Sequence, residues 1–115
     1  MSFLKKFRLH VDRLFVKPED ECDKQLHAAI GIAGEAGEIL DTIKKHWVYG
    51  APLDHENILE ECGDILFYVQ ALLEHTGLTM EQAIDHNIEK LNKRYPDGYA
   101  DERALDRLDK PEESK

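Results

Sequence analysis

Leu26, Ile30, Ala33, Leu40, Ile43 and Trp47 recur on three- and four-residue steps, with no proline between Pro18 and Pro52. That spacing keeps apolar side chains pointing one way through about six turns of α-helix. A strand cannot use it, because strand side chains change sides at every residue. The acidic cluster Glu19, Asp20, Glu21 and Asp23 follows Pro18 and suits the positive end of a helix dipole. The spacing therefore predicts one long helix that ends near Tyr49 and Gly50.

The flanking segments read the same way. Phe3, Leu4, Phe7, Val11, Leu14 and Phe15 predict a first helix from Ser2 to Val16, stopped before Pro18. Asp54 is a candidate N-cap for a third helix that carries Ile58, Cys62, Ile65, Leu66, Val69 and Leu73 inward, with Gly77 closing it. Thr79 and Gln82 have capping-box spacing and open a fourth helix through Ile84, Ile88, Leu91 and Tyr95, which Pro96 ends. Short connections between four such helices give an all-α, four-helix hairpin bundle over residues 1–100. Residues 101–115 are charged, with Leu105 and Leu108 their main apolar content, and are expected to form a loosely docked or disordered tail. A chain of 115 residues has a modest core, burying roughly 60–70% of its unfolded surface. Self-association is a natural way to bury more.

Fifteen basic residues against twenty-four acidic ones give a net charge of −9. That balance argues against duplex nucleic acid and anionic membranes, both of which are bound by neutralising phosphates with Lys and Arg. It leaves room for a small polyphosphate whose charge is screened by divalent cations. Cys22 and Cys62 are far apart, and no signal-peptide-like or membrane-length apolar run accompanies them. Both read as ordinary small apolar residues in a reduced, cytoplasmic protein.

Glu35 and Glu38 sit three apart on the second helix, and Glu61 and Asp64 three apart on the third, so each pair leaves one helix face. If the pairs face each other they form a four-carboxylate cage whose hard oxygens suit Mg²⁺ or Mn²⁺. Either pair alone also fits a solvated helix face. Gly31, Gly34 and Gly37 fall inside the same helix, each costing about 1 kcal/mol relative to Ala. Something must offset that cost. Gly31 and Gly34 share a stripe with His27, Glu38 and Lys45, bordered by Glu35 and Thr42, and are expected to leave room for a ligand or a close-packed helix, the ligand being favoured. Gly37, on the apolar face, fits helix contact equally well. The matching stripe on the third helix holds Asn57, Glu61, Asp64 and Tyr68. On the fourth, Asn87, Lys90 and Arg94 form a polar row able to present an amide, an ammonium and a guanidinium to phosphate oxygens, or simply to face solvent.

Other site types fail on spacing. None of the six histidines has Glu three residues before it, as a ferritin-like di-iron site requires. His55-Glu56 lacks the second His of a zinc protease helix, and there is no Walker lysine loop or Gly-x-Ser-x-Gly elbow. The histidines read as surface or capping residues, with His27 the one placed near the acids.

Taken together, HAAIGIAGEAGEILDTIKKHW, NILEECGDILFYVQAL and NIEKLNKRYPDGY resemble the MazG-like family of all-α nucleotide pyrophosphohydrolases over about residues 25 to 99, in its short single-domain form. The resemblance rests on Glu-x-x-Glu, a spacer and Glu-x-x-Asp, matched by Glu35, Glu38, Glu61 and Asp64, followed by a helix supplying Asn, Lys and Arg or Tyr. It implies hydrolysis of (deoxy)nucleoside triphosphates to monophosphate and pyrophosphate with Mg²⁺. It also implies that the four carboxylates are metal ligands, with Glu35 or Glu38 as catalytic base, and that Asn87, Lys90, Arg94 and Tyr95 bind substrate, although periodicity sets Tyr95 among the apolar residues of its helix. A homodimer or homotetramer that completes the bundle is part of the same expectation. Two other readings fit the same helices: a non-catalytic nucleotide- or metal-binding regulator, and a helical interaction protein. Trp47, Tyr49 and Tyr68 are expected in the core, though each has a ring able to stack on a base.

Overall fold

The computed structural model describes residues 1–98 and is all-α, with α1 (Phe3–Leu14), α2 (Glu21–Tyr49), α3 (His55–Glu74) and α4 (Met80–Arg94). No strand occurs among the described residues, and the expected tail, 101–115, lies outside them. The chain divides into two compact units, Met1–Thr79 with the first three helices and a second beginning at Met80 with α4.

Side-chain caps set the helix starts. Ser2 accepts from the Lys5 N–H, Asp20 from the N–H groups of Cys22 and Asp23, and Asp54 from that of Asn57. Each occupies donors that the first turn leaves without an internal partner. Gly50 ends α2 in the left-handed region at φ 70°, where a Cβ is penalised. Gly77 closes α3 as expected: it sits in the left-handed region at φ 76°, its N–H bonds Glu74 O, and the N–H of Leu78 after it bonds Leu73 O at 2.9 Å, the paired closure that a left-handed glycine permits. The last turn tightens before the chain leaves.

The first unit is centred on Val11, Phe15, Ala28 and Ala71, with Phe7, Phe67, Tyr68 and Leu72 packed against them. Phe15 stacks on His27 at 5.0 Å and meets Phe67 and Tyr68 edge-on. Thus α1 anchors to the α2–α3 hairpin through aromatic contacts near the hairpin's open end.

The hairpin does not close through the expected apolar stripes. Leu26, Ile30, Leu40 and Trp47 are all exposed, Trp47 by 83%. On α3, Cys62 and Leu66 are exposed, and Ile58, Ile65, Val69 and Leu73 are only half-buried. Tyr49 is exposed too, and Ile84, Ile88 and Leu91 of α4 remain exposed rather than inward. Helix periodicity fixes the direction of an apolar stripe; it does not say which neighbour covers it.

Candidate functional site

The two long helices meet instead along Ala28, Gly31, Glu35, Glu38 and Thr42 of α2, which step by three and four like one seam of a coiled coil. Reading backwards, Ala71, Tyr68, Asp64, Glu61 and Asn57 of α3 take the same steps. Ala28 and Ala71 are fully buried in one cluster. A Cβ on Gly31 would come within 2.5 Å of the Tyr68 ring. The Asn57 amide donates to the Thr42 hydroxyl, which itself donates to the Glu38 carbonyl at 3.1 Å.

Gly31 is therefore a packing residue. Its missing side chain is filled by Tyr68, contrary to the expectation that it leaves room for a ligand, and this contact offsets the helix cost of glycine. Gly34 and Gly37 would each place a Cβ in open space, with nothing within 4 Å.

Between the Gly31–Tyr68 and Thr42–Asn57 contacts lie the acids. Carboxylate oxygens of Glu35, Glu61 and Asp64 approach within 4.8 Å of one another. Glu61 is 9% exposed, Glu35 is half-buried and Asp64 is exposed, so the group has a closed side and an open one. Glu38 is exposed and is not among the three converging groups.

Glu61 carries the electrostatic signature of the site. A hydrogen bond to Glu35 pushes its carboxyl up to about 7, helped by loss of water and then by the charges of Glu35, Asp64 and Glu38. Carboxylates this close cannot all ionise unless something positive lies between them. A shared proton relieves the repulsion, and so does a cation. The second Glu61 oxygen, Oε2, is buried without a hydrogen-bond partner. Hard oxygen donors from two helices, one of them orphaned, fit a divalent cation of the Mg²⁺ or Mn²⁺ type.

Asn87 is exposed on α4, and Lys90 and Arg94 are half-buried there. Tyr95 follows the helix, its N–H bonded to Leu91 O and its ring 5.9 Å from the Arg94 guanidinium. Beside Lys90, a cavity of about 240 Å³ is lined by His86, Glu89, Lys90 and Lys93. His27, on α2, is held against the α1–α2 connection by Phe15 and the Lys17 carbonyl. Lys45 pairs with Asp41, which raises its pKa. Thr42 and Asn57 belonged to the polar stripes in the sequence but suggested no role on their own. The signal that links them is the matched stepping of the two stripes, visible only once α2 and α3 are set antiparallel.

A family model of the MazG nucleotide pyrophosphohydrolase domain matches residues 24–99, well over half of the chain and including all four acids. No curated protein and no solved structure matches it.

Proposed function

The chain belongs to the MazG nucleotide pyrophosphohydrolase family, and we propose that it is a magnesium-dependent enzyme cleaving (deoxy)nucleoside triphosphates between the α and β phosphates. The observation that carries this reading is the convergence of carboxylate oxygens of Glu35, Glu61 and Asp64 within 4.8 Å of one another, with Glu61 also holding a buried oxygen that has no hydrogen-bond partner. These three residues would hold the cation, which, when bound, supplies charge neutralisation for the triphosphate and Lewis acidity at phosphorus.

Glu38 lies one turn beyond Glu35 and outside the converging group, which leaves its carboxylate uncommitted. We assign it the role of general base, in preference to Glu35, whose side chain is engaged by Glu61. A water oxygen bonds to phosphorus at the α–β anhydride, the bridging bond breaks, pyrophosphate leaves, and Glu38 accepts the water's proton. No covalent intermediate is needed. Asn87, Lys90, Arg94 and Tyr95 keep the substrate-binding role that the resemblance implies, offsetting triphosphate charge.

We further propose that the protein works as a homodimer or homotetramer in the cytoplasm, the apolar outer face of α2 being covered by another copy. Among the described residues, no helix is long and apolar enough to cross a membrane. The same exposed face also favours a second reading, a helical interaction protein without catalysis. Incubation with a panel of NTPs, dNTPs and modified nucleotides plus Mg²⁺ separates the two. Equal release of monophosphate and pyrophosphate is expected, and orthophosphate release or no turnover overturns the enzymatic reading.

A further inference from the structure

Resting on the reading of the acids as a cation site, we propose that Thr42 and Asn57 are positioning residues whose hydrogen bond fixes the register of α2 against α3, so that Glu35, Glu61 and Asp64 converge.

The residues of the seam favour such a device. Among those named from Ala28 and Ala71 to Thr42 and Asn57, the one large apolar side chain is Tyr68, whose ring lies over Gly31. A seam of interlocking apolar side chains specifies its register by shape, whereas a carboxylate-lined one gains nothing from close approach. Slipping one helix by one residue moves its side chains about 1.5 Å along the axis. That is a large fraction of the 4.8 Å within which the three carboxylates meet.

Thr42 and Asn57 are placed to prevent the slip. Thr42 is 8% exposed, and its hydroxyl donates to the Glu38 carbonyl one turn back. The oxygen is thereby left as an acceptor aimed at α3, where the Asn57 amide donates to it. Asn57 is itself held in the first turn of α3, its backbone N–H bonded to the Asp54 side chain at 3.0 Å. The link therefore runs from the Glu38 peptide, through two side chains, to the capped start of the helix that carries Glu61 and Asp64. Tyr68 against Gly31 holds the other side of the cluster. The acids sit between a polar clip and a steric one.

The test is Mn²⁺ binding by electron paramagnetic resonance, alongside melting of the metal-free protein. Thr42→Val keeps the shape and removes the hydroxyl; Asn57→Ala removes the donor yet leaves Thr42 its Glu38 partner, giving a second variant less prone to misfold. Each is expected to weaken Mn²⁺ binding about tenfold or more, on the scale seen when groups supporting metal ligands are removed, and Thr42→Ser is expected to restore it. A purely structural role would lower the melting temperature and leave the affinity of the folded protein unchanged. Glu61→Gln separates the two levels of the argument. If Glu61→Gln abolishes binding while Thr42→Val and Asn57→Ala bind within twofold of wild type, the clip is refuted and the cation site stands. If Glu61→Gln also binds normally, the cation site falls and the clip's purpose falls with it.

Discussion

A carboxylate oxygen of Glu61 lies within 4.8 Å of one of Glu35 across the α2–α3 seam, and hydrogen bonding to Glu35, with loss of water, pushes the Glu61 carboxyl up to about 7. The sign of the resulting pH dependence follows. Glu61 titrates near 4.5 when unfolded and near 7 in the fold, so between those values the folded chain binds more protons. Its contribution to stability is fully present below about 4.5 and is lost as pH rises through about 7. In EDTA, the melting temperature of wild type relative to Glu61→Gln should fall over that window. Parallel pH profiles for the two proteins would rule out a raised Glu61 carboxyl.

Divalent cation should reverse this trend. The cation competes with the Glu61 proton, so Mg²⁺ or Mn²⁺ should bind more tightly as pH approaches and passes about 7. Ligand that binds only the native state raises its stability. At pH 8 the melting temperature should rise with added Mn²⁺ and return on chelation, and at pH 5 the same addition should do much less. Equal gains at both values would mean that the ion binds elsewhere.

Removing the charge of single acids tests their roles in turnover. Glu38→Gln and Asp64→Asn should each cut pyrophosphate release by at least about a hundredfold, the scale of a lost general base or more. Far-UV circular dichroism should stay at wild-type helicity, because neither side chain caps a helix or sits in the apolar core. Near-normal turnover in either variant would discredit its assignment.

The glycines of α2 give opposite expectations from one substitution type. Gly31→Ala drives a Cβ into the flat of the Tyr68 ring at 2.5 Å, where no flexible chain end can yield. It should destabilise by about 1–3 kcal/mol despite the better helix former. Gly34→Ala meets nothing within 4 Å, so it should stabilise by about 1 kcal/mol in a single chain. Urea unfolding reads both. A stabilised Gly31→Ala would show that Tyr68 is free to move away.

Much of this was legible in the residues. The helix starts followed from Asp20 and Asp54, and the all-α class from the steps between Leu26 and Trp47. The three- and four-residue spacing also put Glu35 and Glu38, and Glu61 and Asp64, on polar stripes. The pairing of the stripes rested on the resemblance, which set the four acids around one site, whereas apolar periodicity by itself pointed the other way. A helix with apolar residues on one side is ordinarily taken to turn that side toward its nearest partner, yet Leu26 and Ile30 are exposed while Glu61 is buried. Register was hidden for a related reason: Thr42 and Asn57 are ordinary polar residues until an antiparallel hairpin puts one opposite the other.

The outer face of α2 supplies the last prediction. Leu26, Ile30, Ala33, Gly37 and Leu40 step by four and three, as a coiled-coil seam does, and all are exposed. Thus α2 carries two seams, the polar one against α3 and an apolar one without a partner among the described residues. Ala33 and Gly37 at its centre have little or no side chain and permit close approach of another helix. Exposed apolar surface of this regularity costs free energy in water, and a second copy of the same helix can cover it. Sedimentation velocity should show wild type as a dimer or larger. Ile30→Glu and Leu40→Glu, which bring charge into the seam without touching the acid cluster, should shift it toward monomer. Wild type sedimenting as a monomer across the micromolar range would leave this face to a different partner.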